Sequence, residues 1–391
     1  MSFELHTLLL CLLLGLLIES FSYSIEDGRA EESYIPSNNQ SLTAEDLKAY
    51  TKVTLDSLSL NRIATRVPVN SANLGKFPNF DMGFTWNDED SDSTKWRPQG
   101  ITGVITPAGK EFIAVSWYGR EEEGYDNRGA RIAFVDCTDL KGTSDLMYRH
   151  VLLVDENYNT FPDLHAGGLV SSGDGLIHVP DSRGGYGNKV YTFSTSNILY
   201  IPDDGSRDKF YTYTYIIPRM GSYSVPITPS FMSYDWEKKQ VLLGTFYQCS
   251  SYHQDTSSCL ASKNNKLSWY TIGHVDSSSP WCAPFFSEMQ GAASSSASGT
   301  AVLWTSSSYG SSHTSHLHIT NLGTSFVCSS SSTATKGYTQ ISYPPGLEDL
   351  HMADPKSKFQ SHLWMHTEFG TNDGTGNVRT VFSTPVKYLM P

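Results

Sequence analysis

The chain has 391 residues, with 28 Lys and Arg against 40 Asp and Glu, for a formal charge of −12 at pH 7. An acidic chain without basic clusters is a poor binder of nucleic acid or anionic membrane, since both need cationic patches. Sparse charge beside abundant Ser, Gly, Thr and Tyr favours an extracellular all-β domain with many turns over a helical enzyme.

Leu8 to Ile18 is an aliphatic run softened only by Cys11 and Gly15. About eleven residues are too few to span a bilayer as a helix, which needs roughly twenty. The run suits the core of a signal peptide, with small Ser22 and Ser24 at a cleavage site, although Glu4 and His6 stand where Lys or Arg is usual. Residues 1–24 are therefore expected to be removed and the protein to be secreted. No further apolar run or lipidation pattern predicts a membrane anchor. A polar tail with a short helix is expected over 25–60; it carries the sequon Asn39-Gln40-Ser41, making the protein a candidate glycoprotein, and the helix over Ala44 to Leu55 would be capped by Ser41 or Thr43. The rest, 61–391, reads as one domain. Of its cysteines, Cys249 with Cys259 is the first choice of disulfide and Cys282 with Cys328 the second, which leaves Cys137 as a thiol in a strand-like run.

From Lys95 onward a weak repeat appears. Polar anchors beside small or apolar residues stand at Gln99, His165, Ser230, Gln290 and Glu348, a step of about sixty residues each time. Each anchor begins a first strand. A second run follows (Phe112 to Tyr118 in the first unit), then a third (Arg131 to Asp136) and a fourth (His150 to Val154). The last unit lacks its fourth run, and Asn61 to Val69 offers a spare strand that would close it. Four strands per unit predict a single five-bladed β-propeller, with six blades as the runner-up. A pair of β-sandwiches would not explain the regular step.

Three segments carry a resemblance. Trp96-Arg97-Pro98-Gln99-Gly100-Ile101, His165-Ala166-Gly167-Gly168, and Pro345-Gly346-Leu347-Glu348-Asp349-Leu350 followed by Leu363-Trp364 and Thr367-Glu368 are similar to a group of secreted, largely uncharacterised β-propeller proteins of bacteria and fungi. The resemblance implies the fold and no settled activity.

In a propeller the start of each first strand and the end of each second strand open on one face, around the central channel. His165, Asp181, Glu348 and Glu368 are the candidate acid–base residues there. Arg97, Gln99, Trp117, Tyr118, Arg183, Tyr247, Gln290, Asp349 and His366 are the candidate ligand contacts. Paired carboxylates in different environments are what glycosidic cleavage needs, so a glycan or small molecule is the expected ligand and a glycoside-active hydrolase, lyase or cyclase the expected enzyme class. The plainer reading has Glu348 and Asp349 tying loops to backbone N–H groups and to Arg97 or Arg183. The alternative function is an extracellular protein–protein or matrix interaction module.

No cofactor is expected. Asp88, Asp90 and Asp92 share the opening spacing of a calcium loop, but Ser93 and Gln99 stand where its Gly and bidentate Glu belong. That excludes an EF-hand and leaves only a looser calcium contact. His313, His316 and His318 alternate on a strand without a nearby carboxylate or Cys to complete a zinc set. G-x-S-x-G, P-loop and dinucleotide-binding motifs are absent.

Overall fold

The computed structural model describes residues 50–67, 77–124, 128–142, 144–162, 164–182, 188–248, 267–273, 286–295, 301–323 and 338–390. The signal segment, the sequon, Arg183 and both proposed cysteine pairs lie outside them. Cys137 lies inside, as a fully buried thiol that burial pushes up to about 12, consistent with an inert core residue.

Three short strands lead in: β1 Thr51–Val53, β2 Arg62–Arg66 and β3 Met82–Thr85. The helix expected over 44–55 gives way, from Thr51 on, to β1 and a 3₁₀ turn at Leu55–Ser57. β-branched Thr51, Val53 and Thr54 favour extended backbone there. A five-residue helix, α1 Asp88–Asp92, is capped by the Asn87 side chain, which accepts from the Asp90 amide at 2.9 Å.

The chain then folds into successive antiparallel meanders. The first sheet is β4 Trp96–Ile105, β5 Glu111–Gly119, β6 Ala130–Asp136 and β7 Leu146–Val154. The second is β8 Val170–Ser171, β9 Leu176–Pro180, β10 Lys189–Ser194 and β12 Tyr215–Ser224, with β11 Ile198–Tyr200 joining β12 to β1. In the third, β13 Phe231–Asp235, β14 Gln240–Gly244 and β15 Leu267–Tyr270 are described; the fourth run expected at 281–286 falls almost wholly outside the described residues. The fourth is β16 Met289–Ser295, β17 Ala301–Ser307, β18 Ser315–Gly323 and β19 Tyr338–Tyr343. The last is β20 Leu347–Met352, β21 His362–Thr367 and β22 Thr380–Pro385, completed from the front of the chain by β3.

The closing strand is thus Met82–Thr85 rather than 61–69. β2 sits one place further out. It pairs with β3 through Thr65 and Arg66 and with β7 through Arg62 to Ala64, so it stitches the last sheet to the first.

Strand alternation decides where the core sits. In β5, Ile113, Val115 and Trp117 face a core shared with Phe84, Trp364 and Val381 of the last sheet. Phe112 and Ala114 face the opposite way, into a core shared with Ile177, Tyr191 and Ile217 of the second. In β14, Val241 and Leu243 pack toward the second sheet, while Leu242 packs toward the fourth. The fourth and last sheets meet over Trp304, Leu317, Leu350 and Met365. Burying each such side chain contributes about 1.5–3 kcal/mol.

One side-chain donor from each sheet reaches a first-strand or pre-strand carbonyl of the next. Ser116 Oγ donates to Ala166 O at 2.7 Å, Ser182 Oγ to Ser230 O at 3.4 Å, Ser233 Oγ to Ala292 O, and Ser306 Oγ to Glu348 O at 2.7 Å. His366 Nε2–H donates to Gln99 O at 2.7 Å and returns the series to the first sheet. Inner strands come close enough that a Cβ at Gly291 would lie 2.6 Å from Asp349 Cα.

Behind the first sheet, α1 buries Asp90. Its carboxylate accepts from Arg131 at 2.9 Å, from Arg62 at 3.0 Å, from the Tyr148 hydroxyl and from His150 Nε2 at 3.0 Å. Burial opposes ionisation, but His150, Arg62 and Arg131 outweigh it and hold this carboxyl well below its usual range. Asp90 is therefore unavailable to the looser calcium contact, being occupied by cationic and hydroxyl donors, and Asp92 accepts from Thr371. His316 and His318 are neighbours, ring centroids 6.0 Å apart, but His318 is stacked on Phe286 at 3.6 Å. Among the described residues no group of His, Cys, Asp and Glu is arranged to hold a metal.

Candidate functional site

The anchors of the repeat converge because three first strands are interrupted at the anchor itself. β4 shifts register between Pro98 and Ile101, β16 between Met289 and Gly291, and β20 between Leu347 and Leu350. Each irregularity leaves Gln99, Gln290 or the Glu348-Asp349 pair out of the ladder, where a bulge re-aims the side chain. At β4 the freed Gly100 amide is recovered by Ser116 Oγ at 2.8 Å. The equivalent position of the second sheet, His165, precedes Ala166, whose φ is +47°.

These residues border a cavity of about 610 Å³ lined by Gln99, Tyr118, His165, Ser182, Ile227, Thr228, Ser230, Thr245, Phe246, Gln290 and Glu368. Gln99, His165, Ser230 and Gln290 come from first-strand starts. Tyr118, Ser182, Thr245, Phe246 and Glu368 come from second-strand ends. Gly346, with φ +85°, turns the chain tightly enough for its carbonyl to accept from the Glu368 amide at 2.7 Å. Arg379 Nε donates to the Glu368 carbonyl at 2.6 Å, so the backbone of this residue is held from both sides.

A polar chain runs beneath the cavity. Gln99 Nε2 donates to Pro98 O at 3.1 Å and to Glu348 Oε2 at 3.4 Å. With its amide so oriented, Gln99 Oε1 must accept from His165 Nε2–H at 3.1 Å. That sets the imidazole tautomer and makes Nδ1 the basic nitrogen. The His165 ring lies on Tyr118, centroids 3.7 Å apart.

Glu348 is buried, and its Oε1 receives no N–H or O–H donor from the protein. The Glu368 carboxyl lies close enough that like charge opposes ionising both. Burial, then the Glu368 charge, then Asp349, push Glu348 well above the usual carboxylate range. Burial also raises Glu368, with Arg97 and Arg379 pulling it back. Tyr118 is held as a phenol, first by burial and then by the Glu368 charge. The arrangement is one carboxyl at the cavity wall, a second behind it that its surroundings push toward the neutral form, and an oriented imidazole nearby.

Gln99, Tyr118, His165, Gln290 and Glu368 thus line the cavity as the repeat predicted, and Glu348 stands directly behind it. The other candidates fall elsewhere. Trp117 has the opposite strand parity to Tyr118 and packs edge-on against Trp86 at 5.0 Å in the core. His366 is fully buried in the sheet-to-sheet bond to Gln99 O. Asp349 is fully buried and accepts from the backbone amides of Leu350 at 2.9 Å, Ile101 at 3.5 Å and Leu169, so it ties first strands together, as the plainer reading required. Asp181 is fully buried off the cavity wall. Arg97 turns away, with both terminal nitrogens on Asp373 and its guanidinium 5.1 Å over Phe369. Tyr247 offers its carbonyl to the Glu288 amide, and Phe246 takes the wall position. Sequence reasoning missed Ser182, Thr228, Thr245 and Phe246. Ser230, an anchor of the repeat, also lines the cavity.

No known protein-family model matches the chain, and no curated protein does. The similarity to secreted bacterial and fungal propellers therefore rests on the short motifs alone. Solved structures that align with it include hydrazine synthase of Kuenenia stuttgartiensis, at 10% identity over 72% of this chain and 80% of that one, with a TM-score of 0.29. A mutant Trypanosoma rangeli sialidase displaying trans-sialidase activity aligns at 12% identity over 87% of this chain and 57% of that one, with a TM-score of 0.34. At these scores neither alignment bears on chemistry.

Proposed function

We propose that the chain is a secreted five-bladed β-propeller that binds a glycan or similar small polar molecule at the channel mouth and converts it by acid–base chemistry. The five-bladed reading is supported by the cyclic order of cores and of sheet-to-sheet hydrogen bonds, which leaves each sheet with two neighbours. The functional reading rests on one observation above the rest: two neighbouring carboxyls, Glu368 on the wall and Glu348 behind it, at a large cavity that the repeat anchors line, with hydroxyls, amides and an aromatic face around it. Protein stability does not call for that pair, since a buried carboxyl without a cationic partner is costly. Environments that separate two titratable groups assign acid and base roles. Glu368 is the carboxyl that meets the ligand, Glu348 holds or returns its proton, and the His165 ring, fixed by Gln99, lines the wall beside them.

A thermal-shift screen of the mature protein against mono- and oligosaccharides tests this. A ligand at about a hundred times its Kd stabilises by roughly 2.7 kcal/mol. The expected result is a hit that Phe246→Ala weakens, with turnover that Glu368→Gln removes while the fold persists. A blank across the panel, with the chain instead capturing an extracellular protein through its loops, would favour the interaction-module reading.

A further inference from the structure

The charge around the cavity goes further than its shape. Among the described residues that line it there is no Arg or Lys; the polar wall is made of the amides of Gln99 and Gln290 and the hydroxyls of Ser182, Ser230, Thr228 and Thr245. The cations close to Glu368 are committed elsewhere. Arg97 gives both terminal nitrogens to Asp373. Arg379 spends Nη1 on Asp90 O at 2.6 Å and Nη2 on Ser93 O at 2.7 Å, besides its bond to the Glu368 backbone. Arg120 reaches the Thr94 carbonyl at 3.0 Å. What the described wall presents to a ligand is therefore the Glu368 carboxyl, with the Glu348 carboxyl behind it. Phe246, 41% exposed, adds an apolar face of the kind on which a sugar ring lies.

Resting on the glycan reading above, we propose that this cavity selects uncharged and amine-bearing sugars over carboxylate-bearing ones. A carboxylate brought against Glu368 meets like charge in a partly desolvated site with no guanidinium among its described lining residues, whereas an ammonium meets an acceptor. The same wall disfavours uronic and other acidic sugars as substrates.

The test is isothermal titration of the mature protein with sugars matched in ring stereochemistry and differing only in charge: glucose, glucosamine and glucuronate, and the galactose series alongside. In at least one series the amine is expected to bind at least tenfold more tightly than the carboxylate, about 1.4 kcal/mol, with the neutral sugar between them. Glu368→Gln is expected to bring the amine level with the neutral sugar, so that the ratio of the two affinities falls to about one. A carboxylate that binds as tightly as its neutral partner overturns the charge selection alone and leaves the glycan site standing. Failure of every member to bind, in wild-type protein whose unfolding transition is normal, overturns the glycan reading and this inference with it.

Discussion

Replacing Glu348 with Gln separates a catalytic carboxyl from a structural one by its effect on stability. Gln keeps the shape and still offers an oxygen to Gln99 Nε2, now 3.4 Å from the carboxylate. It removes the need to keep a proton on a group with almost no exposure. Glu348 is raised in the fold by burial and by Glu368, so its contribution is full below the ordinary Glu value near 4.5 and is lost as pH rises toward the folded value. Each pH unit above that ordinary value costs about 1.4 kcal/mol, which sets a ceiling of about 3.4 kcal/mol at pH 7. Glu348→Gln is therefore expected to stabilise the protein by about 1–3 kcal/mol near neutrality and by almost nothing near pH 4, while abolishing turnover. Urea unfolding at the two pH values, with unchanged slope, reads this directly. If the variant loses stability at neutral pH, or gains equally at both, the raised-carboxyl reasoning fails and Glu348 is a structural tie.

Two further predictions concern the frame. Asp90→Ala leaves Arg62 and Arg131 buried without their shared carboxylate and should cost about 3–5 kcal/mol in the same assay. Because that carboxyl is depressed in the fold, its contribution holds above the ordinary Asp value near 3.8 and fades as pH falls below it, so the gap between wild type and variant should narrow in acid; a constant gap would contradict this. Gly291→Ala pushes a methyl toward Asp349 Cα at 2.6 Å, backbone that cannot swing aside, and should cost about 1–3 kcal/mol by thermal unfolding. The same change at Gly310 meets open space, though its φ of +79° still adds strain, so it controls for the loss of glycine alone. Equal losses at the two sites would mean that close approach of the first strands is not what requires Gly291.

Strand order and site address were legible because both follow from local pattern. Runs such as Phe112 to Tyr118 and Leu176 to Asp181 match β5 and β9 to within a residue or two, since alternation and turn composition are written in consecutive residues. The about sixty-residue step brought Gln99, His165, Ser230 and Gln290 to one cavity, because equivalent positions in repeated units fall at the same place in each sheet. Tertiary structure alone decided which side of a strand each candidate took and how its charge was spent. Trp117 and Tyr118 are neighbours with opposite parity, and only the packing of the last sheet shows that Trp117 is the buried one. Glu348 and Asp349 are adjacent carboxyls with identical local signals. The bulge in β20 points one at Glu368 and the other at backbone amides far away in sequence. The identity of the closing strand was settled the same way, by hydrogen bonds between residues some three hundred apart, an interaction that leaves no trace in local periodicity.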